Sequence, residues 1–199
     1  LTLPTFRDFR WVDMTGGRAA KRLVILDRDG VINRDSREFV KNADEWVPLP
    51  GSIGAIAELS RAGFTVAVAS NQSGLARGMF DRNALRAMHR KLRRLVAAEG
   101  GRVDRIVVCP HGPDEHCQCR KPKPGLLRRL ARHYETTLED VPVVGDSLRD
   151  LQAAAAAGAK PVLVRTGNGE TTASRLPDNL DSVPIFDDLA AFAATLTRM

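Results

Sequence analysis

Two carboxylates one residue apart, Asp27 and Asp29, stand directly after the apolar run Leu23 to Leu26. A carboxylate is a competent nucleophile toward phosphorus, because the acyl phosphate it forms hydrolyses readily. Asp27 is predicted to attack. Asp29 is predicted to donate a proton to the leaving oxygen and later to take one from water, a role that calls for a raised pKa in a partly dehydrated pocket. Asp-x-Asp alone is also an ordinary acidic turn, and its place at the end of a buried run is what distinguishes it. After a second apolar run, Phe64 to Ala69, comes Ser70-Asn71-Gln72-Ser73-Gly74. Its hydroxyls, amides and backbone N–H groups suit phosphate oxygens, with Ser70 the first candidate. The plain alternative is a strand-to-helix turn with Ser or Asn as the cap. Gly145-Asp146-Ser147-Leu148-Arg149-Asp150 follows another run and adds carboxylates at the same sheet edge. Mg²⁺ prefers octahedral oxygen ligands and keeps several waters, so Asp27, Asp146 and one backbone carbonyl would suffice to hold it. Asp150 reads either as a first-turn helix residue or as a supporting carboxylate.

Cys109, His111, Cys117 and Cys119 form a second constellation, in the run Cys109-Pro110-His111 through Cys117-Gln118-Cys119. Three thiolates and one imidazole match a closed, structural tetrahedral zinc site with no open position for catalysis. His116 is surplus to that set and reads as a solvated loop residue. Zinc here would pin the loop carrying Arg120 and Lys121 over an anionic pocket, where Lys121 would neutralise a transferring phosphoryl group.

Positioning these residues requires strands that end together. Leu23 to Leu26, Phe64 to Ala69, Val103 to Val108, Val141 to Val144 and Pro161 to Val164 read as buried strands. Between them Ser52 to Arg61, Arg82 to Glu99, Gly125 to Tyr134 and Leu148 to Ala157 read as helices bounded by Gly or Pro, and Phe186 to Thr197 as a terminal helix. Right-handed crossovers then give an α/β, doubly wound parallel sheet whose ligands lie beyond the carboxyl ends of the strands. The 199 residues, 43% of them hydrophobic, suit one domain over 21–199, preceded by an irregular extension over 1–20 that lacks a period. The chain opens on Leu rather than Met, and Met14 is an alternative start.

The balance of 30 Lys and Arg against 24 Asp and Glu, a charge of +6, favours anionic ligands without choosing among them. No apolar stretch is long enough for a membrane span. Three clustered cysteines without a leader pattern predict a reducing cytosol rather than a secreted disulfide framework. A basic zinc-knuckle module for nucleic acid is the rival reading, on Arg86, Arg90, Lys91, Arg93 and Arg94. Against it, Leu85, Met88, Leu92 and Leu95 recur at helical spacing and leave those cations on the solvated faces, with no aromatic platform among them.

Taken together, DRDGVIN (27–33), SNQSGLARG (70–78), CRKPKPG (119–125) and GDSLRDLQAA (145–154) resemble the haloacid dehalogenase superfamily of aspartate-nucleophile phosphatases, in particular its heptose-bisphosphate phosphatases. The resemblance spans about residues 22 to 198. It implies a Rossmann-like core with a minimal cap and the zinc loop. It makes Asp27 the nucleophile, Asp29 the proton donor, Ser70 and Lys121 phosphoryl stabilisers, and Asp27, Asp29 and Asp146 magnesium ligands. Substrate contacts map onto Asp35, Ser36, Arg37 and Glu38, onto Ser70, Asn71, Gln72 and Ser73, onto Arg120 and Lys121, and onto Ser147, where many relatives carry lysine. It implies a small phosphorylated sugar as the partner, no nucleic acid or membrane, and a monomer, with Mg²⁺ and structural Zn²⁺ as cofactors. The short spacing from His111 to Cys117 resembles the related histidinol-phosphatases instead, which typically carry a TNQDG-type segment where this chain has SNQSG.

Overall fold

The computed structural model describes residues 22–198, so the predicted extension over 1–20 and the alternative start at Met14 lie outside the described residues. Among these residues six parallel strands form one sheet in the order β3-β2-β1-β4-β5-β6: β1 (Leu23–Leu26), β2 (Thr65–Asn71), β3 (Arg105–Cys109), β4 (Pro142–Gly145), β5 (Lys160–Val164) and β6 (Ile185–Phe186). The helices are α1 (Ser52–Arg61), α2 (Arg82–Ala98), α3 (Gly125–Tyr134), α4 (Leu148–Ala156), α5 (Gly169–Ala173) and α6 (Leu189–Thr197). Among the described residues no helix is long and apolar enough to cross a membrane.

Strand alternation sorts the core into two layers. Val24 and Leu26 pack with Ile56 of α1, Met88 and Leu92 of α2 and Phe192 of α6, whereas Leu23 and Ile25 face Leu127 and Leu130 of α3 and Ala153 of α4. With helices on both faces, β1 is apolar throughout rather than alternating with polar residues. Helix α2 shows why the basic run there is surface. Asp81 caps it by accepting from Ala84 N at 2.7 Å, and Leu85, Met88, Leu92 and Val96 form its buried stripe, while the arginines point outward.

Two elements correct the sequence reading. The predicted terminal helix from Phe186 begins instead at Leu189, because Asp188 accepts from Ala191 N at 2.8 Å and caps it there. Ile185 and Phe186 pair with Leu163 and Val164 as a sixth strand. The short α5 was likewise unforeseen. The order 3-2-1-4-5-6 changes direction between β1 and β4, so their carboxyl ends border the crevice where doubly wound sheets bind ligands.

Candidate active site

Leu26 pairs with Val144, and Asp27 N donates to Val144 O at 2.8 Å, so Asp27 and Asp146 emerge side by side at that crevice. Asp150 joins them one helical turn later, held by the backbone N–H and hydroxyl of Ser147, the N-cap of α4. The backbone must come close for this to happen. Gly145 has no Cβ, and one there would strike Asp150; Gly30 and Gly167, both at positive φ, leave the space that the Asp146 carboxylate fills.

Acceptor oxygens of Asp27, Asp146 and Asp150 lie within 4.8 Å of one another, all buried. Asp146 Oδ2 accepts from Asn168 N (2.8 Å) and Asn168 Nδ2 (3.1 Å), whereas its Oδ1 is buried without a hydrogen-bond partner. A buried carboxylate oxygen left unpaired beside others of its kind suits a divalent hard cation. Lys121 Nζ completes the group, 2.8 Å from Asp27 Oδ1 and 2.5 Å from Asp150 Oδ1. Both contacts are buried ion pairs, and Lys121 Nζ also donates to Ala69 O at 2.9 Å.

Burial is the main force on Asp27 and pushes it up to about 7, with Lys121 opposing and the neighbouring aspartates adding to the rise. Burial and then Asp150 raise Asp146 to about 6. Burial would lower Lys121, but Asp150 and Asp27 more than reverse this and keep it charged. Carboxyls raised on folding bind more protons in the folded than in the unfolded chain, so both aspartates subtract stability as pH climbs from about 4 to 7. A cation that displaces those protons should therefore stabilise more at higher pH. In protein dialysed free of magnesium without chelator, the rise in Tm on adding Mg²⁺ is expected to be larger at pH 7.5 than at pH 5.5. Using the increment separates the aspartates from His89, whose imidazole is held at about 4 by burial and then Arg28 and works in the opposite sense. An increment equal at both pH values would contradict the site.

Asp29 departs from expectation. Burial alone would raise it, but the Arg28 guanidinium, aided by hydrogen bonds from Arg28, Asn33 and Gln72, holds it below the usual carboxylate range. Arg28 is itself buried and reaches Asp29 with Nη2 at 2.8 and 2.9 Å; Asn33 Nδ2 donates at 2.9 Å and Gln72 Nε2 at 2.8 Å. The raised pKa predicted for a resting proton donor is thus absent, and the Asp29 side chain lies outside the carboxylate cluster where a magnesium ligand was predicted. Asp150 is the third side chain of that cluster.

A cavity of about 180 Å³ opens over these groups, lined among others by Asp27, Asp29, Asp35, Ser36, Ser70 to Ser73, Arg120 and Arg149. The predicted substrate contacts divide here. Arg37 and Glu38 are exposed and do not line it. Lys121 lies buried beneath it, and Ser147 is engaged with Asp150 instead of facing it. Asn71 lines it while its side-chain amide clamps the Lys121 backbone, donating to O and accepting from N at 3.1 Å each. Gln72 Nε2 also donates to Ser70 Oγ at 2.8 Å. Sequence reasoning missed Arg28, Arg149, Phe39, Val40 and Phe80 in the lining, and Asn168 behind Asp146.

Asn71 pairs with Cys109 across β2 and β3, which brings the second constellation beside the cavity. Sγ of Cys109 lies 3.6 Å from Cys117 Sγ and 3.2 Å from Cys119 Sγ, and His111 Nδ1 lies 3.3 Å from Cys119 Sγ. Zn–S bonds of 2.3 Å put tetrahedral sulfurs about 3.8 Å apart, so the donor set fits zinc, and the cysteines are free. Arg120 Nη1 donates to His111 O at 3.3 Å, tying a cavity cation to this cluster.

A family model for HAD-hydrolase-like proteins matches residues 118–192. The D-glycero-β-D-manno-heptose-1,7-bisphosphate 7-phosphatase of Pseudomonas putida is 60% identical over 176 residues, covering 88% of this chain and 99% of the relative. The chain belongs to this family of heptose-bisphosphate phosphatases. The family's Bordetella bronchiseptica member, crystallised with magnesium and phosphate, superposes with a TM-score of 0.85 at 56% identity, covering 89% of this chain and 98% of that one. A second family structure, from Burkholderia thailandensis, has a TM-score of 0.70 at 46% identity and covers 90% of this chain and 100% of that one.

Proposed function

We propose that this chain hydrolyses the 7-phosphate of D-glycero-β-D-manno-heptose 1,7-bisphosphate, giving the heptose 1-phosphate and inorganic phosphate. The carrying observation is the buried group at the β1–β4 crevice, a carboxylate beside a charged lysine and an unpaired carboxylate oxygen under a cation-lined cavity, in a chain 60% identical to a named phosphatase of that substrate.

A carboxylate oxygen of Asp27 forms a bond to phosphorus as the bond from phosphorus to the C7 oxygen breaks, and that oxygen leaves with a proton from Asp29. Asp29 then removes a proton from water, which attacks the aspartyl phosphate, expels the Asp27 carboxylate and yields inorganic phosphate. Lys121 balances the phosphoryl charge from below, and Ser70, oriented by Gln72, donates to its oxygens from the side. Asp29 rests ionised. A phosphate dianion brought beside it adds like charge and shifts its pKa upward, so the donor takes up its proton with the substrate. Mg²⁺, held by Asp27 and Asp146 with Asp150 close by, supplies charge neutralisation at the phosphoryl oxygens when bound. Arg120 and Arg149, which line the cavity, contact the sugar phosphate.

Asp29→Asn is expected to be slow rather than dead on sugar phosphates, and to lose much less on an aryl phosphate whose acidic phenol leaves without a proton. Equal losses on both substrates would contradict the donor role. Three free thiols suit a reducing cytoplasm, and the substrate is small and soluble; we place the protein there as a monomer with no nucleic-acid role. Phosphate release from heptose 1,7-bisphosphate, histidinol phosphate and fructose 1,6-bisphosphate tests the reading. The heptose substrate should lead by a wide margin in kcat/KM, and a preference for histidinol phosphate would overturn it.

A further inference from the structure

Among the described residues strand β3 ends the sheet with β2 its one neighbour, so its outer edge presents backbone N–H and C=O groups that no described strand pairs. Cavities flank that edge on both sides. The one on the α2 side, about 360 Å³, is lined by Arg82, Arg86, Arg105 and Arg129 together with Ile106 to Val108 of the strand itself. The one on the α3 side, about 630 Å³, contains Arg128, Arg129 and Arg132. They share Val108, Pro110 and Arg129, forming one valley along the strand. Neither lining contains a carboxylate, and among the described residues none of these six arginines forms a salt bridge.

We propose that this valley docks an extended acidic segment of a partner protein, which adds to β3 as a further strand while its carboxylates reach the arginines of α2 and α3. Charge complementarity selects the occupant. A second copy of this chain would bring its own arginines to the same edge and be repelled. Single-stranded nucleic acid needs a row of aromatic faces for its bases, and beside Leu, Ile, Val and Pro the linings hold only the rings of His89 and His111, with no Phe, Tyr or Trp. Open strand edges recognise extended peptides through the main chain, with flanking side chains setting specificity. The combined volume exceeds what a lone phosphate fills, and the valley runs past the strand rather than into the catalytic cavity.

The test uses the full chain and a fluorescein-labelled octapeptide of glutamate and threonine, followed by anisotropy and amide hydrogen exchange. Binding is expected at low salt, weakening as salt rises, with slowed exchange within Arg105–Cys109. Arg86→Glu combined with Arg129→Glu should bind at least tenfold more weakly while phosphatase activity, the control for folding, is unchanged. A peptide of equal charge with two adjacent prolines at its centre loses a ladder donor whichever edge meets β3 and should bind more weakly. Failure of the acidic peptide to bind, equal binding by the proline peptide, or equal competition by single-stranded DNA without protection of β3 would each overturn the proposal.

Discussion

Asp27→Asn is expected to lower turnover by on the order of 10⁴-fold or more, because an amide cannot form the acyl phosphate. The fold should survive. Asp27 lies in a group where burial and three neighbouring aspartates oppose its charge, and only Lys121 favours it. Replacing it by the neutral amide relieves that repulsion, while Lys121 keeps Asp150 at 2.5 Å and Ala69 O at 2.9 Å. The variant should therefore match or exceed the parent in Tm near neutral pH while failing in catalysis. Near-normal turnover would remove Asp27 from its role. A large drop in Tm accompanying the loss would leave activity uninformative and would contradict the electrostatic picture of the site.

The next largest effect is expected from the thiolate cluster. Purified protein should hold about one tightly bound zinc apart from exchangeable magnesium, since three sulfurs and an imidazole make a soft site that Mg²⁺ does not occupy. Cys117→Ser or Cys119→Ser should weaken zinc retention and loosen Arg120, which leans on His111 O, and Lys121, which follows it in the chain. We expect kcat/KM to fall by about 10- to 100-fold, the range for lost support of a site's ligands, with KM raised and kcat lowered, and added Mg²⁺ should not restore it. The clamp of Asn71 on the Lys121 backbone retains part of the loop and keeps the loss below that of Asp27→Asn. Zinc-free protein, purified without chelator under reducing conditions, with full activity in Mg²⁺ would exclude the ordering role.

The contrast between Asp27 and Asp29 shows what local sequence carries. Strand β1 and helices α1 and α3 have the boundaries that hydrophobic runs and Gly or Pro punctuation predict, because each is a strongly patterned segment. The two-residue β6 and the polar, five-residue α5 are too short to carry a period. At the site, strand-end placement puts Ser70 in the cavity that Asp27 lines and Asp146 beside Asp27, since parallel strands end on one edge. The charge state of Asp29 was not legible, because it depends on Arg28 folding inward and on Gln72 arriving from another strand end, 43 residues away. Likewise Asp150 reads as a helix-start residue. Its place among the clustered carboxylates comes from the tight approach at Gly145 and from Ser147, whose hydroxyl was expected to face substrate.

The most direct test of covalent catalysis at β1 is a rapid-quench single turnover with heptose 1,7-bisphosphate labelled with ³²P at the 7-phosphate, followed by borohydride reduction and peptide mass spectrometry. Transient label on the protein, with Asp27 reduced to homoserine, is the expected result. Label on another residue, or release of phosphate at full rate with no labelled protein at any time point, would contradict it.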